Sequence, residues 1–460
     1  MLEERLRETG QDHIARLLEH SAGFISSQML RDDLAQVDLS LVMRLIKGDL
    51  LYKEPQKRSV EPAQVIPASF ADTQEAAQYR DHGEGLIRQG SVAALIVAGG
   101  QGSRLGIEAP KGVVGVGPLS AKSLFCIHSQ KVLALCRKYR TTIPVFIMTS
   151  RANDVQTKAY FSANDYFGLD KNEVHFFTQG MLPSVTPEGR FLISREGSLF
   201  MNPDGHGGTL TALSKNGCFD IMRDRNIEEI FYFQVDNPLV KICDPIFVGL
   251  HSLSRAEMSS KVVRKRSYDE KVGVIARIND KTRVVEYSDM SDDMRYATDE
   301  TNEMLYWPGS IAIHMIRADF AENLTREGLM LPFHRAEKMI PTLDSNGEPV
   351  EEKGVKFETF IFDALPHAQR SITLEVLRDE EFAPVKNMTG EDSLETSRSM
   401  QSALYRCWLE KAGIIVNKDV SVEISPLFAL EQTDLLSHLS DIPDRIETDI
   451  YLKGPDEQGQ

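Results

Sequence analysis

The chain has 460 residues, of which 42% are hydrophobic and 26% charged, a composition typical of a globular protein with one large domain and one or two smaller ones. Its formal net charge of −16 argues against general affinity for nucleic acid or for anionic membrane surfaces. No apolar run approaches the roughly 20 residues that cross a bilayer, and no apolar signal core follows the charged N-terminus. We therefore expect a cytoplasmic protein whose five scattered cysteines stay reduced.

Residues 1–90 are predicted to form a helical N-terminal region. Apolar residues recur at helical spacing, first at Ile14, Leu17 and Leu18 and again between Leu41 and Ile46. An irregular connector marked by prolines follows over residues 51–70.

Between residues 91 and 385, short apolar runs alternate with helical patterns. Leu124–Tyr139 is predicted to be a helix, and buried strands are predicted at 93–98, 144–149 and 230–235. This alternation predicts an α/β fold with a mixed, mainly parallel sheet that is covered on both faces. Ligands of such sheets bind at the carboxyl ends of the strands, where a glycine-rich loop and Asp236 fall.

Residues 386–460 are predicted to form a small C-terminal domain. They contain an amphipathic segment from Met400 to Ala412 and a strand-like run at Val422–Pro426. The predicted domains are therefore an N-terminal helical region, a catalytic domain over residues 91–385 and this C-terminal domain.

The most informative segment is Leu95–Gly106, where a buried strand ends in glycines. Glycines let backbone N–H groups approach a phosphate closely, because no Cβ intervenes. Arg104 adds a permanent forked cation suited to phosphate oxygens, and Lys111 adds a second cation. The loop is not the glycine fingerprint of dinucleotide-binding proteins, because Leu105 stands at the third glycine position. It is not a Walker A loop either, because it has no Gly-Lys-Ser/Thr at the required spacing.

Further motifs follow this loop in one order along nearly the whole chain. They are Lys122–Phe125, Gln179–Pro183, Pro203–Gly208, Val235–Asn237, Val285–Ser288, Gly354–Glu358, Phe360–Asp363 and Phe382–Asn387. Together with the loop they resemble the eukaryotic-type UDP-sugar pyrophosphorylases, and within that group the UDP-N-acetylglucosamine pyrophosphorylases. The resemblance implies a Rossmann-like nucleotidyltransferase core. It also implies a UTP:sugar-1-phosphate uridylyltransferase, in which the sugar phosphate attacks the α-phosphorus in line and pyrophosphate leaves.

The chemistry and the resemblance assign roles to particular residues. In-line attack brings anions together, so catalysis rests on positioning and charge neutralisation, which we assign to Arg104, Lys111 and Lys386. Asp236 is the predicted ligand of Mg²⁺, the expected cofactor. The resemblance implies nucleotide contacts at Gly99, Gly100, Gly102, Gln179, Gly205 and His206, and sugar contacts at Glu286, Gly309, Ser310 and Lys356.

The sugar-binding positions depart from the family pattern. His206 stands where the N-acetylglucosamine enzymes typically carry Asn, and Gly309–His314 lacks the asparagines of their Gly-Asn-Ile-Ala-Asn-His stretch. The sugar therefore stays open between N-acetylglucosamine, which the resemblance favours, and glucose or galactose.

Two other kinds of protein remain to be weighed against the enzyme. An NAD-dependent oxidoreductase is disfavoured by the cations of the loop and by its missing glycine. A catalytically silent UDP-sugar-binding regulator would not need to keep the four charged residues assigned above. We expect the protein to bind UTP and a sugar 1-phosphate and to bind neither nucleic acid nor membrane. We also expect a monomer or a weak homo-oligomer. The sequence leaves open the oligomeric state, the complete metal site and the direction of flux in the cell.

Overall fold

A computed structural model describes residues 2–19, 27–54, 59–326, 331–344 and 347–457 of the chain. Residues 55–58 of the predicted connector lie outside these ranges. The α-helices are α1 (Leu2–Glu8), α2 (Asp12–Glu19), α3 (Ser27–Gln36), α4 (Leu39–Ile46), α5 (Gln74–Arg88), α6 (Leu124–Tyr139), α7 (Asp154–Ala163), α8 (Gly208–Lys215), α9 (Cys218–Asp224), α10 (Pro245–Leu253), α11 (Asp292–Arg295), α12 (Ala318–Arg326), α13 (Arg378–Glu381) and α14 (Leu394–Lys411).

The strands are short at the two ends of the chain and longest in its middle. They are β1 (Val60–Pro62), β2 (Val92–Val97), β3 (Val145–Thr149), β4 (Val174–Thr178), β5 (Met181–Pro183), β6 (Met201–Pro203), β7 (Glu229–Gln234), β8 (Met258–Arg264), β9 (Val274–Ile278), β10 (Lys281–Val285), β11 (Pro308–Arg317), β12 (Phe333–Leu343), β13 (Pro349–Thr359), β14 (Thr373–Glu375), β15 (Ile415–Val416), β16 (Val422–Ile424), β17 (Arg445–Ile446) and β18 (Ile450–Leu452).

The described residues divide into two units. The first unit draws them from Met1–Gln56, Gln179–Ala212 and Glu327–Asp363, and the second draws them from Lys57–Thr178, Leu213–Arg326 and Ala364–Gln460. The predicted catalytic segment thus contributes to both units. The domain boundaries placed at residues 90 and 385 stay a prediction.

Ten described strands of the second unit form one sheet. At its centre β7, β2, β3 and β4 run parallel in that order, and β11 joins the other side of β7 in antiparallel orientation. Strands β2 and β3 are buried at every residue, as their uninterrupted apolar runs predict. The predicted α/β fold with a mixed sheet built on parallel strands is confirmed.

The register of this sheet brings two chain segments to the same edge. Val97, the last residue of β2, pairs with Gln234, the last residue of β7. The N–H of Val235 then donates to the carbonyl oxygen of Val97 at 3.1 Å, which extends the ladder by one residue. The glycine-rich loop after β2 and Asp236 after β7 therefore leave the sheet side by side.

Helix α6 covers one face of the sheet and begins where the sequence predicts. Its N-cap is Ser123, whose hydroxyl accepts the N–H of Cys126 at 3.1 Å, and it ends at Arg140 in the left-handed region. Buried residues from Leu124 to Tyr139 pack into the core of the sheet.

The first unit has a separate apolar core. Helices α1, α2, α3 and α4 pack buried leucines against the long β12–β13 hairpin and the segment around Phe191. The helical spacing at Ile14–Leu18 and at Leu41–Ile46 therefore corresponds to α2 and α4. None of the helices that the structure describes is long and apolar enough to cross a membrane.

Candidate active site

The glycine-rich loop is held by its own backbone and by one asparagine. The N–H of Gly102 donates to Ala109 O at 2.9 Å, and the N–H of Lys111 donates to Gly100 O at 3.1 Å. Asn153 donates its side-chain amide to Ala98 O at 2.9 Å. A Cβ added at Gly100 would meet no atom within 4 Å, so no neighbouring protein atom requires glycine there. The open backbone at this position is what close approach of a phosphate needs.

Arg104 lies exposed on this loop. Its guanidinium makes no hydrogen bond or ion pair with any residue that the structure describes. A cation without a protein partner, on a loop with accessible backbone, can bind an anionic ligand without first breaking an ion pair.

Lys111 and Asp236 form the central ion pair of the site. Lys111 lies in a single turn of 3₁₀ helix over Lys111–Val113, and its Nζ donates to Oδ2 of Asp236 at 2.9 Å. The turn needs Gly112, where a Cβ would fall 2.2 Å from the ring of Phe125. Burial raises the pKa of Asp236, but the attraction of Lys111 and then of Lys386 outweighs burial, so the pKa lies below its ordinary value. The carboxylate is therefore ionised at neutral pH.

Lys386 reaches the same place from a different part of the chain. Asp236, Ser310 and Lys386 line one cavity of about 160 Å³. The Nζ of Lys386 lies 3.3 Å from Oδ2 of Asp392 and 5.4 Å from the centroid of the Phe382 ring. The structure thus brings together three of the four charged residues predicted for the phosphates and the metal, namely Lys111, Asp236 and Lys386, with Ser310, which is predicted for the sugar.

Gly309 and Ser310 lie on β11, and Glu286 directly follows β10 in the same sheet of the second unit. The N–H of Ser310 donates to Gly273 O at 2.8 Å, and a Cβ on Gly273 would lie 3.0 Å from Oε1 of Glu286. The β11–β8 register shifts between Ser310 and Ile313, which is a β-bulge. A β-bulge changes the direction in which side chains point, and this bulge interrupts the regular pairing of β11 beside the cavity that Asp236 lines.

The remaining predicted nucleotide positions lie in the first unit. Gln179 is buried and precedes Gly180, whose carbonyl accepts the N–H of Asp204 at 3.0 Å. Gly205 has φ +86°, and a Cβ there would fall 2.4 Å from Thr359 O. Glycine is therefore required at Gly205 both by its backbone conformation and by the close approach of β13.

His206 is a packed, neutral imidazole. Its ring stacks on Phe360 at 5.3 Å between centroids, and its Nδ1 accepts the N–H of Ile361 at 3.2 Å. Burial, and then repulsion from His334, lowers the pKa of His206 to about 4. The proton of the neutral ring is consequently on Nε2, because Nδ1 acts as an acceptor.

Lys356 also lies in the first unit, on β13. Its Nζ lies 5.5 Å from the centroid of the Phe200 ring. Burial, and then repulsion from Lys338, lowers the pKa of Lys356, while Glu358 opposes the shift. The roles predicted for Lys356 and for the other candidate residues stay predictions.

The residues around Asp236 fit Mg²⁺ in the manner of a substrate-bridging ion. No group of three or more His, Cys, Asp or Glu side chains among the described residues could form a complete protein cage for a metal. Mg²⁺ in nucleotide enzymes is commonly held by one or two carboxylates, with phosphate oxygens and water completing six ligands. Asp236 can serve as that single carboxylate, since it is ionised and lines a cavity.

Comparison with known proteins identifies the family. The model of the UTP–glucose-1-phosphate uridylyltransferase family matches residues 48–452. The chain belongs to this family. The predicted resemblance and the predicted uridylyltransferase class are both confirmed.

Three known proteins show how far the similarity extends. The chain is 37% identical over 392 residues to the UDP-N-acetylglucosamine pyrophosphorylase of Saccharomyces cerevisiae, covering 82% of each chain. It is 34% identical over 456 residues to UDP-N-acetylglucosamine diphosphorylase 1 of Arabidopsis thaliana, covering 93% of this chain and 88% of that protein. A crystal structure of the Trypanosoma brucei uridine diphosphate N-acetylglucosamine pyrophosphorylase in complex with inhibitor matches with a TM-score of 0.83 at 25% identity, covering 99% of this chain and 98% of that chain.

Two residues of α6 that contact the Asp236 segment are absent from the sequence prediction. His128 donates from Nε2 to Val235 O at 2.9 Å, and Lys131 donates from Nζ to Pro238 O and Val240 O. Their signal in the sequence is weak: a histidine and a lysine three residues apart in a helix whose buried side chains are mostly apolar.

Proposed function

We propose that this protein joins UTP and N-acetylglucosamine 1-phosphate into UDP-N-acetylglucosamine and releases pyrophosphate. The observation that carries the proposal is the clustering of Lys111, Asp236 and Lys386 at the edge of the sheet where the glycine-rich loop begins. The yeast and Arabidopsis relatives are named for N-acetylglucosamine, which favours this sugar over glucose or galactose.

The reaction is a displacement at the α-phosphorus of UTP. An oxygen of the sugar phosphate forms the new P–O bond as the bond to the β-phosphate breaks, and the electron pair leaves with pyrophosphate. Arg104 and Lys111 neutralise the triphosphate and the departing pyrophosphate, while Lys386 reaches the phosphates from another chain segment. Asp236 would hold Mg²⁺, which would supply Lewis-acid neutralisation of the phosphate oxygens.

Lys111 is paired with Asp236 at 2.9 Å. A protein group therefore orients its ammonium in the site. Arg104 differs, because it is exposed and makes no contact of this kind with the described residues, and it gains its partner from the ligand. A donor that the protein already orients, as it does Lys111, stabilises the charge that develops in the transition state without having to reorganise.

The sugar is the open part of the proposal, because His206 and Ser310 replace residues typical of the N-acetylglucosamine enzymes. His206 is neutral and packed against Phe360, so its Nε2–H can donate as an asparagine amide can. Ser310 retains a hydroxyl that can donate and accept. Both replacements therefore preserve hydrogen-bonding capacity, in keeping with the N-acetylated sugar.

The test is pyrophosphate release from UTP and Mg²⁺ with the 1-phosphates of N-acetylglucosamine, N-acetylgalactosamine, glucose, galactose and glucuronic acid. We expect the highest kcat/KM with N-acetylglucosamine 1-phosphate. A Lys111→Met variant, purified identically, controls for contaminating activity and should release far less. Turnover confined to a plain hexose phosphate would overturn the sugar assignment, and UTP binding without turnover on any sugar would favour a silent UDP-sugar-binding protein.

A further inference from the structure

The segment that carries Asp236 runs between two layers of the second unit. On one side lies the polypeptide from Glu381 to Lys386. The amide of Asn237 donates to Glu381 O at 2.6 Å and accepts the N–H of Ala383 at 3.0 Å, and Val385 donates its N–H to Asp236 O at 2.9 Å. These contacts fix the segment to the residues that lead to Lys386.

On the other side lies α6. His128, which is fully buried, donates to the carbonyl of Val235 immediately before Asp236. One turn later, Lys131 donates to Pro238 O at 2.5 Å and to Val240 O at 2.8 Å. Helix α6 thus binds carbonyls on both sides of the predicted metal ligand.

Lys131 makes bonds that the backbone of this segment cannot replace by itself. The carbonyls of Pro238 and Val240 belong to an irregular turn after β7, where no strand partner is available to them in the described ladder. A buried carbonyl without a donor costs about 1–3 kcal/mol. Burial lowers the pKa of Lys131 to about 7, and the neutral amine still offers two N–H groups for these two carbonyls.

We propose that Lys131 is a positioning residue that holds the Asp236 segment through the carbonyls of Pro238 and Val240 and so sets the aim of the Asp236 carboxylate. This rests on the proposed function for its catalytic consequence. Side chains that orient a metal ligand through hydrogen bonds typically change metal affinity or activity by 10- to 100-fold when removed. Lys131 does so without touching substrate or metal.

The same helix provides a matched control. Lys138 lies two turns after Lys131 on α6. Both lysines line a second cavity, of about 80 Å³, that is separate from the cavity beside Asp236. Its ammonium pairs with Glu431 at 2.6 Å and Asp434 at 2.9 Å, both far along the chain from Asp236. Lys138→Met therefore removes a bonded ammonium from the same helix and cavity while leaving the Asp236 segment fully bonded.

The first measurement is amide hydrogen exchange in the full-length, ligand-free protein. In Lys131→Met, we expect exchange of a peptide covering residues 234–241 to rise at least tenfold, while a peptide covering β3 is unchanged. In Lys138→Met, both peptides should exchange as in the wild type. Equal protection of residues 234–241 in all three proteins overturns the proposal.

The second measurement is the Mg²⁺ concentration for half-maximal pyrophosphate release, with UTP and sugar phosphate saturating. We expect a rise of about tenfold in Lys131→Met, with partial recovery of rate at high Mg²⁺, and no change in Lys138→Met. A merely structural role would lower the amount of active protein and leave this concentration unchanged, and that result also overturns the proposal.

Lys131→Gln serves if the methionine variant does not fold. Its amide keeps two N–H donors on a side chain that is one atom shorter. We therefore expect an exchange rate and a Mg²⁺ requirement between those of the wild type and Lys131→Met. Wild-type values for both would contradict the positioning role of Lys131. If the wild type releases no pyrophosphate with any sugar phosphate, the proposed function fails. The exchange measurement needs no turnover, so the positioning role of Lys131 is then decided by that measurement.

Discussion

The ion pair between Lys111 and Asp236 keeps a buried carboxylate charged at neutral pH. Attraction by two lysines outweighs burial in setting the low pKa of Asp236, and Lys111 is the nearer of the two, with a hydrogen bond of 2.9 Å. Lys111 thus has two functions in the proposed reaction: it stabilises the anionic form of Asp236 and it faces the phosphates.

Replacing Lys111 with methionine should lower kcat/KM by about 10²–10³-fold, the usual effect of losing one preorganised donor at a developing negative charge. The pKa of Asp236 should rise in the variant, because its strongest attractive partner is lost while burial remains. Steady-state kinetics with saturating Mg²⁺ measures the first effect. The control is Lys158→Met, which removes an exposed lysine bonded to Asp154 at 2.7 Å on α7; a comparable loss in both variants would contradict a specific role for Lys111.

The charged residues of the site are predictable from sequence, whereas the residues that hold them are less so. Lys111 and Asp236 stand out because each follows a buried strand at the edge where ligands bind. His128 and Lys131 escape prediction because they bind backbone carbonyls more than a hundred residues away along the chain. Nothing in a helical pattern specifies which carbonyl a lysine will meet, since that depends on how α6 packs on the sheet.

At the scale of elements, Glu423 fastens the C-terminal strand β16 to the loop before α6. Its buried carboxylate accepts the N–H groups of Leu119 and Ser120 at 2.6 and 2.7 Å, and the hydroxyl of Ser120 at 2.5 Å. The loop it holds leads directly into Ser123, the N-cap of α6. Glu423 therefore links the C-terminal segment to the helix that contacts the Asp236 segment.

Glu423→Gln should lower the free energy of unfolding by about 1–3 kcal/mol, because a neutral amide makes weaker hydrogen bonds than the carboxylate and its NH₂ group cannot accept the Ser120 hydroxyl. Chemical denaturation at pH 7 measures this change. Glu410→Gln, on the exposed face of α14, is the comparison and should change the stability by less than about 0.5 kcal/mol. An unchanged midpoint in Glu423→Gln would show that the three hydrogen bonds add no net stability.

The strands and helices follow closely from the apolar patterns, with differences of a few residues at their ends. The strand predicted at 93–98 is observed at Val92–Val97, and the amphipathic segment predicted from Met400 belongs to a helix that begins at Leu394. The β-bulge between Ser310 and Ile313 has no such signal. Alternation in the sequence shows which face of a strand is buried, but it does not show where the partner strand shifts its register.

At the scale of the whole molecule, the order of segments along the chain does not show which of them make up the first unit. Residues 1–56, 179–212 and 327–363 are separated by more than a hundred residues at each step, yet their described members share one core around Leu6, Phe191 and Phe357. The sequence shows the apolar residues in each segment. It does not show that segments so far apart bury them together, because apolar residues carry no information about their partners.

Two neutral histidines, one in each unit, make the folded protein sensitive to acid. Burial, followed by repulsion from Lys131, lowers the pKa of His128 to about 3, and burial lowers that of His206 to about 4. Both values lie below the value of about 6.5 expected in the unfolded chain. Between those limits the unfolded state binds more protons than the folded state, so the free energy of unfolding falls as the pH drops below 6.5.

Each histidine should cost up to about 3 kcal/mol of stability between pH 7 and pH 4, at about 1.4 kcal/mol per proton and pH unit. Denaturant unfolding at several pH values should therefore show a shallower decline in His128→Gln, which keeps an N–H donor for Val235, and in His206→Asn. The double variant should decline least, because the two sites belong to separate units and their effects should add. If the free energy of unfolding falls with pH in the same way in the wild type and the double variant, the fold keeps neither imidazole neutral. Carboxylates such as Asp236 would then account for the loss of stability in acid, because a lowered carboxylate pKa acts in the same direction.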